Sequence, residues 1–180
     1  MNNKNASIKK REKIVKRTLP RLGTFVRDVN LPDDIAKKYV PNMIIRERGF
    51  VDTSYKIKGM VTTHRFLILS NQMKSLEPFE HGTKWGLCLS KNDARYKILT
   101  VHEYCQKTLI LLLQLPEDDN WKIFLDLEFN PEDKIITESI ELFEYMCNLE
   151  ALPELTTSVW LERCSSPIGL DYEGNYFDIE

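Results

Sequence analysis

The sequence predicts an α+β fold in which one long helix packs against an antiparallel meander sheet of about five to seven strands. Three observations support this prediction: a strongly apolar run at Thr108–Leu115, several segments that alternate apolar and polar residues, and one clear helix signature that begins at Asn130. Short N-terminal helices complete the predicted architecture.

The run Thr108–Leu115 is apolar on both faces, and it is too short to span a membrane. Periodicity alone would also allow a buried helix. The flanking residues favour a strand, because an alternating segment ends at Tyr104 and the turn cluster Pro116–Asn120 follows. We expect this run to be the central strand of the sheet.

Alternating segments surround that run, and short links join them. The predicted strands are 61–70, 85–90, 95–104, 121–129 and 157–164, with a hairpin at 168–179. Because parallel pairing needs long crossovers, the short links predict a meander.

The helix signature is Asn130-Pro131-Glu132-Asp133, which combines a cap, a proline in the first turn and two acidic residues. It predicts a helix over about 131–149, with Ile136, Ile140, Phe143 and Cys147 on its buried face. At the other end of the chain, a short helix is expected from Ser7 to Leu19 and a briefer one after Leu31. The predicted domains are a basic N-terminal arm at 1–27 and a single α+β domain at 28–180.

The composition is that of a folded protein of 180 residues, with 42% hydrophobic and 29% charged residues. The N-terminus is polar and basic with no apolar stretch behind it, so no secretion signal is predicted. The four cysteines, Cys88, Cys105, Cys147 and Cys164, form no C-x-x-C pair, and we expect reduced thiols. These features predict a cytoplasmic location.

Charge is distributed unevenly along the chain. Residues 1–58 carry 15 Lys or Arg against 6 Asp or Glu, whereas residues 116–180 carry 3 against 17. The asymmetry indicates either that the acidic part meets a basic partner or that the two parts neutralise each other within the fold. Both interpretations remain open at this stage.

No catalytic or metal-binding motif is complete. Glu77-x-x-Glu80-His81 lacks the first histidine of a zinc-protease motif, and Asp171-x-Glu173-Gly174-Asn175 lacks the order of a calcium loop. The sequence has no glycine-rich phosphate loop and no nucleophile elbow. No catalytic residue, metal or cofactor is therefore predicted.

Three functions remain. The sequence favours a non-enzymatic protein-binding module, such as an inhibitor or immunity-type protein that presents an acidic face to a basic protein. One alternative is a nucleic-acid-associated protein that uses the basic N-terminal segment. The other is an enzyme whose site is assembled from dispersed residues, in a concave pocket that holds His64, His102 or carboxylates with perturbed pKa values. No membrane partner is predicted, and the oligomeric state is open. The predicted partner-binding residues are Glu138, Glu141, Glu144, Lys10, Arg11 and Arg17.

Overall fold

A single eight-stranded sheet organises the fold of the computed structural model, which describes residues 2–179 apart from the side chains of 2–4. The strands are β1 (Gly23–Val29), β2 (Ile44–Glu47), β3 (Val51–Ser54), β4 (His64–Ser70), β5 (Lys74–Ser75), β6 (Leu87–Ser90), β7 (Ala94–Tyr104) and β8 (Lys107–Gln114). The α-helices are α1 (Asn2–Thr18), α2 (Asp33–Ala36), α3 (Lys134–Cys147) and α4 (Ser158–Arg163). Short 3₁₀ helices lie at Glu77–Phe79, Asp119–Phe124 and Pro153–Leu155. No helix within the described residues is both long and apolar enough to cross a bilayer.

The sheet is mixed, and its strand order is β2-β7-β8-β4-β1-β3-β6-β5. All neighbouring strands are antiparallel except β4 and β8, which run parallel with His64 opposite Thr108. The predicted meander is therefore wrong: the chain leaves β4, builds β5, β6 and β7, and returns to place β8 beside β4. The prediction of an α+β fold is confirmed. The sheet was predicted to be antiparallel with about five to seven strands, whereas the observed sheet has eight strands and one parallel pair.

The run that the sequence predicted as central forms β8, an interior strand between β7 and β4. Residues Leu109–Gln114 of β8 are at most 1% exposed, because both faces of the sheet are covered at this point. Leu109, Leu111 and Leu113 enter the hydrophobic cluster on one face of the sheet. Ile110 and Leu112 enter a second cluster on the opposite face.

Helices α1 and α3 cover the first face. Ile136 and Phe143 of α3, with Val15 of α1 and the following Leu19, are buried in the same cluster as Leu111. The other face is covered by the region around α2 and by residues 166–178, whose Ile168 and Leu170 pack with Phe66 and Ile98. The division into an arm at 1–27 and a domain at 28–180 remains a prediction, with residue 27 falling inside β1.

Three predicted β segments have other structures. The segment 121–129 begins inside a 3₁₀ helix, because Asp118 caps that helix through the N–H of Asn120 and the buried residues Trp121 and Phe124 are three apart. The segment 157–164 is mainly α4, which Thr157 caps through the N–H of Trp160. The predicted hairpin 168–179 is reduced to one isolated bridge between Leu170 and Tyr176.

Candidate active site

A cleft of about 370 Å³ opens on the sheet face that residues 166–178 cover. We call it the Arg27 cleft. One wall is formed by residues 47–51, at the end of β2 and the start of β3, and the other by residues 166–172 with Phe177. Its volume lies in the range of small-molecule sites, about 300–1,000 Å³.

Arg27 lies in β1 and lines this cleft, with only 3% of its surface exposed. Its Nη1 donates to the backbone oxygen of Asp52 at 3.2 Å. Its Nη2 donates to the backbone oxygen and Oγ of Ser166, at 2.9 and 2.8 Å. Among the described residues, the buried Nε has no hydrogen-bond partner. The Nε–H of Arg27 is therefore a free hydrogen-bond donor within the described residues, and the acceptors that its two Nη atoms bind are neutral oxygens.

Glu47 joins the two walls of the cleft. Its Oε1 accepts from the N–H of Gly49 at 2.8 Å, and its Oε2 accepts from the N–H of Gly169 at 2.8 Å. Gly169 has φ +80°, and a Cβ there would lie 2.9 Å from Cβ of Ile45. Glycine is thus required at Gly169 both by its backbone conformation and by its close approach to β2.

Aromatic rings stand at the rim. Phe50 is 63% exposed and Tyr172 is fully exposed, although both are large apolar side chains. The guanidinium of Arg48 lies over the ring of Phe177, 5.2 Å from its centroid, and supplies a second cation beside Arg27. The rim therefore offers flat surfaces on which an aromatic ligand can stack.

The Asp171 carboxylate is an acidic group at the same rim. Its Oδ1 accepts from the backbone N–H groups of Glu173 and Asn175, at 2.9 and 2.8 Å. The N–H of Asn175 and the other backbone donors of this turn lower the pKa of Asp171, so its carboxylate is ionised at neutral pH. The cleft thus combines two guanidinium groups, exposed rings and carboxylates.

A second recess lies on the same sheet face, at the end where β7 and β8 form a hairpin. It has a volume of about 750 Å³ and is lined by His64, Thr108 and Glu103 on the sheet and by Asp33 and Lys37 at α2. Nδ1 of His64 lies 2.8 Å from Oγ1 of Thr63, and burial lowers the pKa of His64. Of the histidines proposed from sequence, His64 lines this recess, whereas Nε2 of His102 lies outside it, 2.8 Å from Oε1 of Glu144.

The six partner-binding residues predicted from sequence lie on α1 and α3, and none lines the Arg27 cleft. Glu138 pairs with Lys134 at 3.3 Å, and Glu144 contacts His102. Arg11 pairs at 3.1 Å with the buried carboxylate of Asp133, near the start of α3. The remaining three, Lys10, Arg17 and Glu141, are exposed. Their role in binding stays a prediction.

Sequence reasoning missed the residues of the cleft, among them Arg27, Glu47 and Ser166. They come from distant segments, and none belongs to a recognisable motif. One signal was present for Arg27: it stands with Asp28 inside the otherwise apolar strand sequence Phe25-Val26-Arg27-Asp28-Val29. A charged pair within a buried strand has to be compensated, and that requirement often marks a site.

No protein-family profile matches the chain, and no curated protein matches it. Solved structures with a similar arrangement include the ADP-ribosyltransferase HopU1 of Pseudomonas syringae pv. Tomato, 17% identical over 52% of this chain and 45% of that one, TM-score 0.47. The catalytic domain of VahC from Aeromonas hydrophila is 18% identical over 62% of this chain and 70% of that one, TM-score 0.46. The Vis toxin, an ADP-ribosyltransferase from Vibrio splendidus, is 13% identical over 63% and 57%, TM-score 0.43. The chain spans about half the length of the first structures it matches.

These neighbours contradict the main functional prediction from sequence. We expected a non-enzymatic, immunity-type protein-binding module, yet the neighbours include several proteins named as ADP-ribosyltransferases. At such low identity and with TM-scores below 0.5, the likeness leaves the function of this chain open.

Proposed function

We propose that this chain is an enzyme whose site is assembled from dispersed residues in the Arg27 cleft. The proposed substrate is a small anionic molecule that carries an aromatic ring, as a nucleotide does. This is the enzyme alternative that the sequence left open, with different residues: the cleft contains neither His64 nor His102.

The proposal rests on the burial and the hydrogen bonding of Arg27. A buried cation is costly unless a charge or a full set of hydrogen bonds compensates it. Arg27 is 3% exposed, binds neutral oxygens and keeps one buried donor without a partner in residues 2–179. Glu47 and Asp171 line the same cleft, but among the described residues no hydrogen bond joins either carboxylate to Arg27. An anion bound in the cleft would pair directly with the guanidinium, and arginine is suited to planar or tetrahedral oxyanions.

The rest of the cleft fits the other half of such a ligand. Phe50 and Tyr172 are exposed at the rim, and Phe177 faces the guanidinium of Arg48. Rings placed in this way can hold a base or another flat group by stacking. Arg48 would then contact a second oxyanion or the ring itself.

Asp171 and Glu47 are the groups we assign to the chemistry. The pKa of Asp171 is lowered, so its carboxylate stays ionised and can stabilise a positive charge that develops on the substrate. The carboxylate of Glu47 is held by backbone N–H groups from both walls, so it fixes the width of the cleft. We assign Glu47 a positioning role and Asp171 a catalytic one.

Isothermal titration calorimetry with ATP, ADP and NAD⁺ tests the binding part of the proposal. NAD⁺ is a convenient member of this set, because one neighbour, exoenzyme S from Pseudomonas aeruginosa, was crystallised with carba-NAD. We expect saturable binding of at least one nucleotide, weakened about tenfold or more in Arg48→Gln, which removes a charge-assisted contact. Arg21→Gln, an exposed position before β1, is the matched control and should bind as the wild type does.

Turnover of the bound nucleotide, followed by chromatography, tests the enzymatic part. We expect products to form with the wild type and to be lost in Asp171→Asn while binding is retained. Absence of nucleotide binding at millimolar concentration, or equal binding by Arg48→Gln, would refute the assignment of the cleft. Binding without any turnover would refute the enzyme and leave only a binding site.

A further inference from the structure

Strand β7 is longer than the strand on its outer side. It spans Ala94–Tyr104, whereas β2 pairs only with Ala94–Lys97. The last outer hydrogen bonds reach Ile98, which donates to the backbone oxygen of Met43 and accepts from the N–H of Asn42. Beyond Ile98, β8 is the only described strand that pairs with β7. Residues 99–104 therefore form a sheet edge, which we call the β7 edge.

The direction of the backbone groups along this edge follows from the hairpin. Cys105 and Gln106 have φ of +48° and +60°, as a two-residue type I′ turn requires, so Tyr104 and Lys107 form a hydrogen-bonded pair. In an antiparallel ladder every second residue bonds to the same neighbour. Tyr104, His102 and Thr100 thus face β8, and the N–H and C=O groups of Val101 and Glu103 point outward.

The second strand of the hairpin shows the same alternation. The N–H of Thr108, opposite Glu103, donates away from β7, to the backbone oxygen of Thr63 at 2.9 Å. No other described residue reaches the outward groups of Val101 or Glu103 with a hydrogen bond. Both residues lie in the part of the hairpin that is exposed or half-buried.

The 750 Å³ recess lies directly beside this edge, and Val101 and Glu103 line it. Glu103, Thr108 and His64 lie side by side across β7, β8 and β4, on the face that bears α2. Two acidic residues, Asp33 and Glu103, and two lysines, Lys37 and Lys107, line the recess. Lys107 points to the opposite face, where its Nζ donates to the backbone oxygen of Met60. The recess therefore has room and charge for one basic side chain.

We propose that the β7 edge binds an extended peptide segment of a partner protein, which adds to the sheet next to β7. The peptide pairs with the N–H and C=O groups of Val101 and Glu103, and a Lys or Arg opposite Glu103 enters the recess. This site differs in location and residues from the acidic face that the sequence predicted on α3, and it does not depend on the Arg27 cleft.

A second copy of the chain fits this edge less well than a peptide does. Antiparallel pairing of two β7 edges would bring both Glu103 carboxylates onto one continuous face, and neither edge would supply a cation to the recess of the other. Like charges at neighbouring positions of a sheet are destabilising. Charge complementarity thus selects a peptide with a basic residue.

The test uses the whole chain and a fluorescein-labelled peptide of sequence Thr-Val-Lys-Val-Thr. We expect saturable binding by fluorescence polarisation, and no binding of the peptide in which glutamate replaces lysine. Glu103→Gln should weaken binding by a factor of about 2 to 5, the effect of a cross-strand ion pair. Glu162→Gln, an exposed position in α4, is the matched control and should leave binding unchanged.

Backbone hydrogen exchange measured by NMR gives a second readout that does not depend on a variant. In the free protein the amides of Val101 and Glu103 should exchange rapidly, while those of His102 and Tyr104 are protected by β8. The peptide should slow exchange at Val101 and Glu103 specifically, and an analogue N-methylated at the lysine and its neighbours should not. Protection of these amides in the free protein that rises with its concentration would identify a second copy as the occupant. That result, or no peptide binding at millimolar concentration, would overturn the proposal.

Discussion

The guanidinium of Arg65 on β4 forms a bidentate ion pair with the carboxylate of Asp28 on the adjacent strand β1, with Nε–Oδ1 and Nη2–Oδ2 distances of 2.6 and 2.8 Å. The side chains are 1% and 8% exposed, and Arg65 also donates to the backbone oxygens of Lys58 and Gly59. A buried pair of this kind stabilises a fold only while both partners are present.

We expect Asp28→Asn to destabilise the protein by about 3–5 kcal/mol, because the Arg65 charge is then buried without a counter-charge. Urea denaturation of both proteins measures the difference. Glu138→Gln, which breaks the exposed Glu138–Lys134 pair on α3, is the comparison and should cost no more than about 0.5 kcal/mol. Similar costs for the two substitutions would contradict the role of the buried pair.

The hairpin turn at Cys105–Gln106 places two non-glycine residues at positive φ. Because glycine adopts this conformation without steric cost, Gln106→Gly should stabilise the protein by roughly 0.5–1 kcal/mol. Thermal denaturation measures the gain. Gln106→Ala keeps the Cβ and is the control, so an equal gain in both variants would show that the backbone conformation is not the cause.

The stability of the fold should fall in mild acid because of His64. Burial lowers the pKa of His64, and the charges of Asp33 and Glu103 only partly offset this effect. A folded pKa below the unfolded value of about 6.5 gives a contribution that is complete above that value and is lost as the pH falls through the folded pKa. Urea denaturation at pH 7.5 and at successively lower values should show this loss, and His64→Gln should show a smaller one. The same slope in both proteins would refute the assignment.

The buried Lys97 should make the stability of the fold depend on pH in the alkaline range. It is 1% exposed, its Nζ donates to the backbone oxygen of Phe124 at 2.6 Å, and burial lowers its pKa. The folded state therefore binds the Lys97 proton less tightly than the unfolded state, whose lysine pKa is about 10.4. Relative to Lys97→Met, the wild type should gain stability as the pH rises toward 10. Denaturation of the two proteins between neutral pH and pH 10 measures this difference, and parallel curves would contradict it.

Parts of the fold were predictable because the pattern of one segment sufficed. β8 is apolar on both faces, so its sequence alone indicated a strand covered on two sides. A helix, α3 (Lys134–Cys147), lies inside the predicted range of 131–149, but its N-cap is Asp133, so the predicted start with Asn130 as cap and Pro131 in the first turn is wrong. Such local signals do not depend on which other segment lies opposite.

In other segments the apolar residues fitted both the two-residue period of a strand and the three- to four-residue period of a helix. Trp121, Ile123 and Leu125 alternate as in a strand, but only the spacing of Trp121 and Phe124 matches the buried positions. At α4 the buried residues are Trp160 and Cys164, the residue that follows the helix, four positions apart, so the helical period decides there. Tertiary burial made these choices, and the sequence pattern allowed both.

The Arg27 cleft could not be predicted, because its walls come from residues 47–51 and 166–172, which meet only in the folded chain. The charge asymmetry that led us to a binding module has a partly internal explanation. Arg11 from the basic segment pairs with Asp133 from the acidic one, and Lys56 pairs with Glu154.

The parallel pairing of β4 with β8 also dictates an order of assembly. The hairpin β7–β8 closes through a two-residue turn. The connection between β4 and β8, from Ser70 to Lys107, is much longer and contains β5, β6 and β7. Closing a long loop costs entropy before any contact repays it, so the hairpin should form early and the β4–β8 junction late. Until β4 pairs with β8, the strongly hydrophobic strand β8 has one unpaired edge. We expect the chain to be most prone to self-association during this interval.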